Sequence, residues 1–241
     1  MPVLDFSRFR YKDEAMRLNR SRLVLAAWMM AVCGLCGMRS AFAGVYEIAP
    51  QGEYAQIDTR ISRDAVRMLE KGSSSEREAA IAAVKAHPEN YAPPVFYALS
   101  GALFSAGEKD DAAFWFYAGQ LRARIDATIC ADSSAGEAVW TLNNRYGPQI
   151  NVYAFQDMNK LKQLVPKVVE WERGLAYRYD RRWINLYGMN GVASGLLAQS
   201  GADSARPLSY PEEQWAVLAE KTRVFYLDSF WKMVKQRGAA E

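Results

Sequence analysis

PVFYALSGALFSAGEKDDAAFWFYAGQLRARIDATI, residues 94–129, is the stretch that decides the fold. Its first part is apolar and uncharged up to Glu108, so it reads as a helix from Pro94 to Ala106 that Gly107 terminates. Its second part, Lys109 to Ile129, is too long for a strand. It reads as a second helix with the aromatic run Phe114, Trp115, Phe116, Tyr117.

Helical signals extend from this pair in both directions. Upstream, Ser62 is placed to cap a helix ending before Gly72, and Ser74 or Ser75 to cap a helix from Glu76 to His87. Pro88 and Pro93-Pro94 separate these helices from the central pair. Downstream, a helix is expected from Ser133 to about Tyr146, closed by Gly147-Pro148. Another is expected over Met158–Arg173, kinked or split by Pro166. Residues 174–209 are glycine-rich and read as an irregular loop or arm, and a long final helix opens at Tyr210-Pro211 and ends near Gly238. No stretch shows strand alternation bounded by turns, so the expected fold is all-α, antiparallel helix pairs in a single domain over residues 59–241.

Residues 1–43 read as a separate leader. Arg17, Arg20 and Arg22 precede the uncharged run Leu23–Met38, and Ala41-Phe42-Ala43 follows, which is the pattern of a cleaved secretory signal. Sixteen residues are short for a membrane span. The polar start leaves Met16 as an alternative initiator, and residues 44–58 form an extended lead-in. The signal implies a periplasmic or secreted protein with no stable membrane insertion after cleavage. Of the three cysteines, Cys33 and Cys36 fall within the leader. Cys130 is then alone, and no internal disulfide can form in the mature chain.

Charge narrows function. The whole chain carries a formal +3, but the leader holds seven Lys/Arg and three Asp/Glu, and its removal leaves 23 basic against 24 acidic residues. A balanced exported protein lacks the basic field that nucleic-acid binding needs. The single histidine, His87, stands at a helix end, where the helix dipole accounts for it. No metal-ligand spacing, nucleotide loop or nucleophile elbow occurs, so no cofactor, metal or catalytic residue is assigned. The alternatives are histidine-independent cell-wall glycan hydrolysis by Glu137 with Asp126 or Asp132, with Glu170 or Glu172 beside Trp171 as further candidate acids, and an envelope-assembly adaptor with helix-pair repeats.

The densest polar-aromatic set comprises Arg122, Arg124, Asn144, Arg145, Tyr146, Tyr179, Arg181, Arg182 and Trp183. Such residues make protein-interface hot spots. They equally make an internal Arg–Asp network that fastens a loop to a helical body, and only exposure separates the two. As candidates they mark a site for a protein partner.

Two resemblances add to this reading. Phe96, Leu99, Leu103, Gly107, Ala112 and Phe116 resemble a tetratricopeptide helix pair over one repeat, with Ser100 in place of the usual glycine and Leu103 in place of the usual aromatic. There, a small Ala112 would let the second helix approach the first. The segments Phe114–Arg124, Arg145–Pro148 and Arg182–Asn185 resemble uncharacterised exported bacterial proteins of the type VI secretion immunity kind. That resemblance implies a periplasmic partner of a secreted toxin.

Overall fold

The computed structural model describes residues 52–199 and 207–238. The leader, its Met16 alternative, Cys33 and Cys36 lie outside these residues. Eight α-helices follow one another: α1 (Arg60–Lys71), α2 (Ser74–Ala86), α3 (Pro93–Ser105), α4 (Lys109–Ile129), α5 (Glu137–Ala154), α6 (Met158–Gly174), α7 (Met189–Gln199) and α8 (Trp215–Gly238). Among the described residues no strand forms, and one isolated antiparallel bridge joins Cys130 to Ser209. The protein is all-α.

α4 is the axis of the body, with α3, α5, α6 and α8 packed around it. Its buried residues run round the whole helix, from Ala112 through Phe116, Leu121 and Ile125 to Ile129, as a helix enclosed by neighbours requires. α3 lies closest. At the α3–α4 turn Gly107 adopts φ +88°, and its N–H and that of Glu108 close on the carbonyls of Phe104 and Leu103. This left-handed glycine stop satisfies the last carbonyls of α3. The two helices approach closely at Gly119. A Cβ on Gly119 would stand 3.1 Å from both the Phe96 Cβ and the Tyr97 ring.

Several expectations are corrected. Ser62 does not cap α1. It lies inside the helix, buried, and its Oγ accepts the Ala92 N–H at 3.0 Å, tying α1 to the start of α3. The cap of α2 is Ser73, in a reciprocal capping box with Glu76. α5 is not closed by Gly147-Pro148 but continues to Ala154. Pro148 removes a donor that would have bonded the Asn144 carbonyl, and both residues sit on the exposed side of α5, where that oxygen is open to solvent. Gly147 is there for packing: a Cβ would stand 2.8 Å from Phe116 Cζ. α6 likewise passes Pro166 without splitting.

The described parts of the two segments expected to be irregular hold helical turns. The lead-in holds a 3₁₀ turn at Gly52–Gln56. The arm contains a 3₁₀ segment, Arg181–Tyr187, and then α7; Trp183, Ile184 and Asn185 are buried. Asp180 joins the two by accepting the Asp58 N–H at 3.0 Å.

Candidate functional site

The expected site residues divide into an internal group and an exposed one. Arg122 is wholly buried, and its guanidinium lies 3.8 Å from the Tyr177 ring centre, where the cation faces the aromatic quadrupole. It bonds Glu172, the Tyr179 hydroxyl and the Ala176 carbonyl. Glu172, buried on α6, also accepts from Arg223 of α8 and from the Tyr177 hydroxyl. One turn along α4, Asp126 accepts from Tyr179 at 2.7 Å, Arg181 at 2.9 Å and Trp183 Nε1 at 2.8 Å. Arg181 stacks on Tyr177 at 3.9 Å. Burial pushes the Asp126 carboxyl up, and Arg181, Trp183 and Tyr179 oppose that push.

Arg122, Tyr179, Arg181 and Trp183 therefore fasten residues 175–187 onto α4 and α6. Arg122 and Trp183 have at most 2% of their surface exposed, so these two side chains face the interior. Arg124 is half-buried, with its charge felt by the Tyr97 and Tyr226 phenols. Arg182 closes locally on Asp180 at 2.8 Å. A second polar layer lies nearby: Asn143 Oδ1 accepts from Tyr97 and Gln120, and Tyr226 donates to Gln120.

Asn144, Arg145 and Tyr146 stand on the other side of α5. Asn144 and Arg145 are exposed, and Arg145 reaches Glu70 of α1 at 2.7 Å. Tyr146 is half-buried and donates to the same carboxylate. Elsewhere on α5 Trp140 is 52% exposed, an unusual position for so large an aromatic. Tyr187 and Met189 are 51% and 64% exposed, and the Met189 N–H bonds Ser134 Oγ at 2.8 Å in the turn before α5. Trp140, Tyr187 and Met189 carry no local sequence signal, since only the fold decides their exposure.

The acids of the hydrolytic alternative have other work. Asp126 is enclosed, as above. Asp132 Oδ1 caps the Ser133–Gly136 turn through the Ser134 N–H at 2.9 Å, and Oδ2 accepts the Asn190 N–H at 2.8 Å. Glu170 and Glu172 are both tied to arginines. Glu137 is exposed at the first turn of α5, where a carboxylate suits the helix dipole. His87, on the surface, stands 3.5 Å from Glu89. Among the described residues no group of three or more His, Cys, Asp or Glu could hold a metal ion, and no helix is long and apolar enough to cross a membrane.

An open depression of about 450 Å³ lies between α4, α5 and α6. On its rim Lys160 and the Tyr153 hydroxyl both bond Asp110 at 2.6 Å. Those residues are up to 50 positions apart in sequence, so no motif could have announced the cluster.

Cys130 is buried, donates to Asn185 Oδ1 at 3.2 Å, and burial pushes its thiol up to about 11. At pH 8 only about one thiol in a thousand is then the reactive thiolate. Iodoacetamide should leave Cys130 unlabelled in the native protein and label it fully in urea, read by mass mapping of its peptide. Rapid native labelling would contradict this environment.

Comparison with protein families, with curated proteins and with solved structures gives no match for the chain.

Proposed function

We propose that this chain is a periplasmic protein-binding module, most specifically an immunity-type inhibitor that occludes a secreted toxin. The observation that carries the reading is the exposed surface of α5. Trp140 and Arg145 are both exposed on α5, and Trp and Arg are the residue types that most often anchor binding hot spots. The competing acids Asp126 and Asp132 are committed to fastening backbone and side chains, which speaks against the glycan-hydrolase alternative. An inhibitor needs shape and anchors, and no reactive group of its own.

The test is capture from envelope extract of the source cells, using the full chain tagged at its C-terminus and processed as the cell processes it. One stoichiometric secreted protein, whose toxic activity is lost in the complex, is the expected result. A resident envelope complex would replace the inhibitor reading with an assembly adaptor. An empty bait at micromolar concentration would overturn the binding proposal.

A further inference from the structure

α8 presents a second exposed surface, of different character. Val217, Val224 and Phe225 are 55%, 51% and 58% exposed, and Trp231 is 41% exposed. With Lys221 and Asp228 they recur at intervals of three and four residues, so they form one stripe along the helix. A shallow trough lined by Val217, Lys221, Val224, Phe225 and Asp228 runs beside it. The opposite side of α8 is spent on the core, through Ala219, Tyr226 and Phe230. The neighbouring Glu220 is already held by Arg173 and Arg223. Lys221 and Asp228 make no ion pair among the described residues, and nothing there covers the stripe.

The order of charges on the stripe identifies what fits it. We propose that α8 docks on α8 of a second copy of this chain, antiparallel, about a two-fold axis passing between Val224 and Phe225. In that arrangement residue i faces residue 449 − i of the copy, by the self-complementarity of a two-fold interface. Val224 meets Phe225 of the copy at the centre. Lys221 meets Asp228 of the copy, and the axis repeats that pair on the other side, each about 5 Å along the helix from the centre. Leu218 meets Trp231 of the copy further out. Parallel pairing would set Lys221 against Lys221 and Asp228 against Asp228, so the charges select the antiparallel register. One helix face is smaller than a standard interface, so the dimer is expected to be a weak one that depends on concentration. The inference is independent of the α5 reading, and either can fail alone.

Sedimentation of the folded chain over about 1–200 μM decides it, with circular dichroism confirming helicity for each variant. Wild type should shift from monomer to dimer, and Phe225→Asp should weaken association at least about tenfold. Each reversal alone, Lys221→Asp or Asp228→Lys, turns both attractive pairs repulsive and should weaken it about fivefold or more. The combined Lys221→Asp/Asp228→Lys chain should recover to within about threefold of wild type, because the pairs are restored with opposite polarity. A monomer at 200 μM, a dimer indifferent to Phe225→Asp, or no recovery in the combined variant would each overturn the proposal.

Discussion

Glu172→Ala should destabilise the protein by about 3–5 kcal/mol, the cost of leaving buried charge without its partner. Two arginines depend on this carboxylate: Arg122 on α4, fully buried, and Arg223 on α8, nearly so. Removing it leaves the Arg122 cation buried without its carboxylate, leaves Arg223 with Glu220 alone, and frees the Tyr177 hydroxyl that also bonds Glu172. The loss is large beside the roughly 5–15 kcal/mol by which domains are stable. Urea denaturation read by tryptophan fluorescence measures it. Arg122→Met combined with Glu172→Leu should cost less than the sum of the two single changes, since an apolar pair removes the stranded charge along with its partner. A loss below about 1 kcal/mol for Glu172→Ala would mean that water enters this network and screens it.

Phe116→Ala should cost a similar amount, about 3–5 kcal/mol, for a different reason. The ring is fully buried at the centre of α4, edge-on to Tyr97 at 5.5 Å and to Tyr117 at 5.3 Å. Its far edge lies under Gly147 of α5, where no side chain can intervene. Truncation leaves a cavity that rigid helices on two sides cannot close. Gly147→Ala in the intact protein should cost about 1–3 kcal/mol by overpacking against the same ring. In the Phe116→Ala background the same change should be much less harmful, because the atom it collides with is gone. Additive losses in the combined variant would show that Gly147 and Phe116 are not in contact in solution.

The sequence was most legible where one physical requirement dominated. α4 follows from a long apolar run entered through a glycine turn, and its ends at Lys109 and Ile129 are as expected. Reading failed where one residue type serves two purposes. Gly147-Pro148 is a helix stop by propensity, yet here the glycine admits Phe116 and the proline faces water. Ser62 resembles a cap, yet it is a buried acceptor for a backbone N–H 30 residues away. The arm looked irregular because its order comes from Asp126, which lies 53 to 57 positions from the residues that hold it. The site divides in the same way. Arg, Tyr and Trp composition could not separate the buried network around Arg122 from the exposed residues of α5, because both draw on the same residue types. Only the packing of α5 and of residues 175–187 against α4 sends Arg122 inward and leaves Arg145 outside.

The most direct test of the account is the affinity of the captured partner for the purified chain, wild type against Trp140→Ala, by calorimetry. Trp140 stands on the surface, so the variant should keep its fold and its urea midpoint. If the exposed surface of α5 is the contact face, affinity falls at least about 30-fold, the loss of a roughly 2 kcal/mol hot spot. An affinity within about twofold of wild type, with both proteins folded, would contradict it and place the partner on another surface.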